Sequence, residues 1–263
     1  MIYDRLIVAL LSVLATEREG STNATIARYL ITHAGESKDF TVKGVAAACH
    51  VGVGSVSRFC RETGFSGFDD LRLALEKTSR SFEQASDSEA FSSRAKEHAC
   101  LIGDALQQAA CTVDERMLQA LVYDLLTHEK VFICGMLKAQ AAAVDLQVDL
   151  LMLGKYAETC VSHAEQLERI STAGRDELVI VFSYTGSYFS AGDLSRALAR
   201  IDRPRIWVVA GAKKPQPDCV YGCLSFASNQ SQLAHPFQLE MVAALIAQEY
   251  ARQKDGAAGP LVE

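Results

Sequence analysis

Nowhere do the 263 residues contain an apolar run long enough to cross a bilayer. The stretch Leu6–Ala15 is apolar, but at about ten residues it reaches only half of what a spanning helix needs. With Arg5 ahead of it, it also fits a short secretory leader. Its pattern continues through Ile26, Tyr29 and Leu30, however, and reads better as the first helix of a helical domain. A C-x-x-C pair is missing too. The cysteines are Cys49, Cys60, Cys100, Cys111, Cys134, Cys160, Cys219 and Cys223, and no second pair or nearby histidine joins Cys219 and Cys223 in a zinc set. They read as buried, reduced thiols of a cytoplasmic protein, with no metal and no cofactor expected. Positive charge is in deficit as well. Lys and Arg total 26 against 32 Asp and Glu, a net charge of -6, which excludes a basic nucleic-acid coat. Any DNA binding must come from a local patch. No internal repeat is present.

What is present is an ordinary globular balance, 49% hydrophobic and 22% charged. Residues 1–77 carry apolar residues at three- and four-residue spacing and predict a helical domain. Residues 78–94, TSRSFEQASDSEAFSSR, are rich in Ser and charge and predict a linker. A helical stretch is expected from Ala95 to Leu126. The pattern then changes. Short apolar runs at Lys130–Gly135, Glu177–Ser183 and Pro204–Gly211, with weaker ones at Tyr156–Val161 and Cys223–Ser228, alternate with helical patterns such as Ala139–Leu153 and Ala191–Ile201. That alternation predicts a parallel sheet covered on both faces, spanning residues 95–253. A last helix is expected over Phe237–Arg252 and a frayed tail over 254–263.

The stretch Thr41–Leu75 carries the most information. Thr41 is suited to cap a helix whose apolar face is Val42, Val45, Ala46 and Cys49. His50-Val51-Gly52 breaks it, and Val53, Val56, Phe59 and Cys60 form a second apolar face. Small Ala46 lets the second helix pass close, the arrangement of two helices crossing at a wide angle around a tight turn. The outward face of the second helix carries Ser55, Ser57, Arg58 and Arg61, side chains able to reach base edges and phosphates. Between Phe40 and Arg61 stand Lys43, Arg58 and Arg61 and no Asp or Glu, the electrostatic footprint of a DNA-reading face. Similar helix pairs also occur in domains that touch no DNA, so spacing alone leaves both readings open.

The string SVSRFCRETGFSGFDDLRLAL resembles the helix-turn-helix of the RpiR family of bacterial regulators. That family shows a V-x-R-F-C-x-x-x-G-F-x-G-F-x-x-[LF]-[KR] run. Val56, Arg58, Phe59, Cys60, Gly64, Phe65, Gly67, Phe68, Leu71 and Arg72 occupy its places. The resemblance implies that Lys43, Ser55, Ser57, Arg58 and Arg61 face double-stranded DNA. The sequence departs from the family at Gly52, where Ser is usual. Gly54, inside the second helix, costs roughly 1 kcal/mol relative to Ala. Phe65 and Phe68 read as core.

Residues Leu118–Arg252 resemble the SIS (sugar isomerase) domain, the usual partner of that helix-turn-helix, which implies a five-stranded parallel sheet. The overall expectation is an α+β two-domain chain, all-α helix-turn-helix first and α/β SIS domain second. In such a sheet ligands bind at the C-terminal strand ends. After Glu177–Ser183, the loop offers Ser183, Thr185, Gly186 and Ser187, hydroxyls and N–H groups suited to a phosphate. An ordinary self-capping turn would look the same. The family carries S-x-S-G-x-T here, with Tyr188 replacing its usual Thr. After the first strand, where the family has G-x-G-x-S, this sequence reads Gly135-Met136-Leu137-Lys138-Ala139. Leu137 and Ala139 remove a Gly and a hydroxyl, and Lys138 offers charge instead.

The resemblance implies a transcriptional regulator, homodimeric or homotetrameric, reading an inverted-repeat operator and sensing a phosphorylated sugar or similar anion. The alternatives are a SIS-type isomerase, for which His163, Glu165, His235 and Glu240 are the available bases, or a SIS domain that only oligomerises. These four read as surface or capping residues, and no catalytic residue is assigned.

Overall fold

The computed structural model describes residues 5–34, 40–77, 86–189, 198, 202–211, 215–228 and 231–258. The chain divides into two compact units. One comprises Met1–Ser81 with Val161–Gln166; the other comprises Phe82–Cys160 with Leu167–Glu263.

The first unit is helical: α1 (Arg5–Thr16), α2 (Thr22–Thr32), α3 (Val42–Ala48), α4 (Val53–Glu62) and α5 (Phe68–Lys77). Ser21 caps α2 by accepting from the Ala24 N–H at 3.1 Å, and Thr41 caps α3 by accepting from Gly44 at 3.0 Å. One core joins Leu6, Leu10, Ile26, Leu30, Val45, Ala46, Cys49, Val56, Phe59, Cys60, Phe65, Leu71 and Leu75, with Phe68 packed against it. The Phe65/Phe68 expectation thus holds. Burial raises the Cys60 thiol to about 11, so it stays protonated. Of the residues expected as linker, 78–85 lie outside the described ones. Phe91 onward is already helix.

The second unit opens with α6 (Phe91–Thr112) and α7 (Glu115–Thr127). The single helical stretch expected from Ala95 to Leu126 is therefore two helices. Asp114 breaks it, turning its carboxylate back on the N–H groups of Arg116 (3.1 Å) and Met117 (3.2 Å) to start α7. Then follow β1 (Lys130–Gly135), α8 (Lys138–Met152), α9 (His163–Thr172), β2 (Glu177–Phe182), β3 (Arg205–Ala210), β4 (Gly222–Ser225) and α10 (His235–Ala258). The tail expected to fray from 254 is helix as far as Ala258. The helix expected over Ala191–Ile201 falls almost wholly outside the described residues.

The strands pair in the order β1-β2-β3-β4, all parallel. Among the described residues the sheet has four strands rather than the expected five. The run Tyr156–Val161 contributes only one parallel bridge, Phe132 to Glu158, made by Ile133 N–H to Glu158 O and Glu158 N–H to Val131 O. The polar residues of this run, Glu158 and Thr159, leave it little apolar surface to bury beyond that bridge. One sheet face packs Phe132, Cys134, Val179, Val181, Ile206 and Val208 against Ile170 and Ala173. On the other face, Trp207 lies over Gly222, where an added Cβ would stand 2.6 Å from the indole. This face receives Asp124 of α7. Its buried carboxylate accepts from Trp207 Nε1 at 2.8 Å and from Arg205 at 2.9 Å, while the Arg205 guanidinium lies 4.1 Å from the Tyr221 ring centre.

Candidate DNA-reading helix and strand-end site

The helix pair has the expected geometry, and its turn rests on backbone bonds. Cys49 ends α3, and His50 takes the left-handed conformation at φ 54. The Val51 N–H returns to Ala46 O at 2.9 Å and the His50 N–H to Ala47 O at 3.1 Å. The α4 helix closes in the same way on Gly64 at φ 84, with Phe65 N–H on Cys60 O at 2.8 Å. Gly52 caps the start of α4 with no side-chain bond. Val56, Phe59 and Cys60 face the core. Lys43, Arg58 and Arg61 are exposed, and Ser55 and Ser57 are half-buried. Arg61 Nε donates to Ser57 O at 3.4 Å, and Glu62 accepts from Asn23 at 3.1 Å. The one acid of α4 is thus drawn toward α2.

The strand-end site is assembled by register. Gly135 stands beside Phe182, so the loop after β1 and the Ser183 loop leave the sheet side by side. Buried Gln140 accepts from Gly135 N–H at 2.9 Å and donates to Thr159 at 2.9 Å, pinning the first loop. A Cβ on Gly135 would stand 2.7 Å from the Ala139 backbone, so glycine is required there. Leu137 sits at φ 52, ψ -118, a conformation natural to glycine and strained for leucine. The family's glycine geometry survives here without its glycine. Lys138 is exposed and reaches Gln232 O at 3.5 Å.

In the second loop Gly186 is buried at φ 65 and Ser183, Thr185 and Ser187 are half-buried. Ser187 donates to Thr185 O at 3.3 Å, and Gln216 holds Gly186 O at 3.1 Å. The structure therefore brings Gly135 and the Ser183–Ser187 loop to one edge. Lys138 joins them through residues that sequence reasoning set aside. His235 opens α10, is 3% exposed, and stacks on Tyr184 with ring centres 4.7 Å apart. Tyr184 in turn bonds Ser228 and, at 3.3 Å, Gln238. His235 before Pro236 looked like a helix-capping surface residue. The signal for its burial was the aromatic partner at 184, which only the fold supplies. Glu240 belongs elsewhere: burial and the nearby Asp145 carboxylate raise its pKa. Glu165 stands in the first turn of α9.

Burial, with the Lys138 charge second, lowers the His235 pKa from 6.5 to about 4. The unfolded chain then binds more protons than the fold between these values. Stability is complete above pH 6.5 and is lost as pH falls toward 4, by about 3 kcal/mol in total. His235→Gln is expected to flatten that part of the stability profile relative to the native chain. Urea denaturation midpoints at pH 4 to 7 measure it, and parallel profiles would exclude a buried neutral histidine.

Two helices crossing about a tight turn, joined in one chain to a doubly covered parallel sheet, define a helix-turn-helix protein with a SIS-like second domain. Residues 12–81 match the helix-turn-helix domain of the rpiR family, and this domain of the chain belongs to the RpiR family. An HTH-type transcriptional regulator of Bacillus subtilis, YbbH, is 24% identical over 166 residues, 61% of this chain. The matched stretch spans only 59% of that relative's length. Among solved structures, the Vibrio vulnificus NanR protein complexed with ManNAc-6P covers 98% of this chain and 99% of its own (TM-score 0.51, 18% identity). A candidate sugar-phosphate isomerase of Listeria monocytogenes covers 63% of this chain and 93% of its own (TM-score 0.53, 10% identity).

Proposed function

We propose that the chain is a cytoplasmic, sequence-specific transcriptional regulator whose SIS-like domain senses a phosphorylated sugar or a related anion. The observation that carries this reading is the family helix-turn-helix at residues 12–81, with Arg58 and Arg61 exposed on the helix whose opposite face is core. Lys43, Ser55 and Ser57 complete the DNA face, Lys43 on α3 as a phosphate contact. Two copies on a two-fold axis would read an inverted repeat. The ligand reading rests on the convergence of Gly135, Lys138, Ser183, Thr185, Gly186 and Ser187 at the strand ends, and NanR's complex with ManNAc-6P supports a phosphosugar. Tyr184 and His235 add a stacked wall to that site. Ligand changes DNA binding only as far as it favours one arrangement of the protein over another.

We read this site as a sensor and not an isomerase, since of the available bases only His235 stands against its loops. The test is selection of bound sequences from a randomised duplex pool by the full chain in low salt, repeated with sugar phosphates added. Enrichment of a palindromic site that shifts with one sugar phosphate is the expected result. Absence of enrichment in low salt rejects the regulator, and turnover of a sugar phosphate lost in His235→Ala rejects the sensor.

A further inference from the structure

An ordinary surface helix buries one apolar stripe and gives charge to solvent on the other side. Helix α8 does not. Its inner face, Ala142, Ala143, Leu146 and Leu150, is buried and packs on β1, β2 and α10. Its outer face carries Val144 (38% exposed), Val148 (52%), Leu151 (59%) and Met152 (81%), and Tyr156 (68%) follows just past the helix end. After Lys138 the helix has no Lys or Arg, only Asp145 and Asp149. A helix apolar on both faces is the pattern of an element covered on both.

We infer that the outer face of α8 is a self-association surface and that a second copy of this chain covers it. Three points select a second copy. First, Val144, Val148 and Met152 lie at i, i+4 and i+8 and form one straight ridge. The same ridge on a second copy packs beside it in the commonest helix–helix class, so the surface is complementary to itself across a two-fold axis. Second, the five side chains expose about 600 Å² together, near the roughly 800 Å² that each partner gives to a standard interface. That is also the upper end of what a monomer leaves uncovered. Third, a regulator that reads an inverted repeat needs a two-fold interface. This last point rests on the function proposed above; the first two do not.

The test is the mass of the full chain in solution without DNA, so its outcome is independent of operator binding. Sedimentation velocity of the native chain is expected to give about 57 kDa, twice the 28.6 kDa chain, or a higher multiple. Val148→Glu/Met152→Glu is expected to lower that mass by half or to the single chain, with near-UV circular dichroism unchanged. Tyr123→Glu, on the exposed face of α7, should leave it alone. Because long side chains on an exposed helix face can unsettle it, Val144→Ser/Met152→Ser serves as a milder second variant and should weaken association at least ten-fold. A native chain that is monomeric at every concentration overturns the proposal. So does a mass that neither α8 variant changes, or one that Tyr123→Glu lowers equally.

Discussion

Replacing Arg58 and Arg61 together by alanine is expected to weaken binding to the selected operator by about a hundred-fold or more at physiological salt. An arginine that meets a guanine edge or a phosphate contributes about 1–3 kcal/mol, and a dimer loses four of them. The loss should have a second signature. Each phosphate contact releases counterions, so the slope of log affinity against log salt should fall by about one per contact removed. Both arginines are exposed and their side chains leave the core untouched, so the stability of the first unit should stay within about 0.5 kcal/mol. Fluorescence anisotropy titrations at several salt concentrations measure affinity and slope together. An unchanged slope would place the DNA face elsewhere on the chain.

Asp124→Ala should be the most damaging single change in the second unit. The carboxylate is buried, and it meets both the Trp207 indole N–H at 2.8 Å and the Arg205 guanidinium at 2.9 Å. Removing it leaves a buried donor without its acceptor and a cation without its counter-charge, in addition to a small cavity. The expected loss is about 3–5 kcal/mol, or roughly 10 °C in the melting temperature of a unit of this size. A double-mutant cycle separates the contributions. If the ion pair dominates, Arg205→Ala will cost little more once Asp124 is gone. If the indole bond dominates, the two losses will add. A fall below about 1 kcal/mol for Asp124→Ala would show that water replaces the carboxylate.

Much of this fold was legible before any coordinates. Thr41, Ala46, the break at His50–Gly52 and the apolar set Val56, Phe59 and Cys60 specify the helix pair locally, because a cap, a small residue at a crossing and a spacing are all short-range features. The runs at 130, 177 and 204 are near-continuously apolar and therefore read as buried parallel strands. Other features were hidden because they depend on partners distant in sequence. Asp124 looked like a polar residue on a helix until Trp207 and Arg205, more than 80 positions away, converged on it. His235 looked like a cap until Tyr184 was found against it. The break at Asp114 was missed because the apolar period runs through it and only the direction of one carboxylate interrupts the helix. Tyr156–Val161 read as a full strand because pattern cannot tell one bridge from four. Leu137 was visible as a lost glycine, but not that the loop would keep a glycine's conformation regardless.

The first turn of α4 has no side-chain bond at its cap, and an added Cβ on Gly54 would meet nothing within 4 Å. Nothing in the packing demands glycine at 54; alanine would fit and would stiffen the helix. The consequence lies in search time. A helix that must tighten on every piece of DNA it meets pays that ordering cost on wrong sequences as well as right ones, so each wrong encounter is shorter. Only where the base contacts are complete does the turn settle for long. A looser reading helix thus gives up some hold on its own operator in return for leaving the rest of the chromosome quickly.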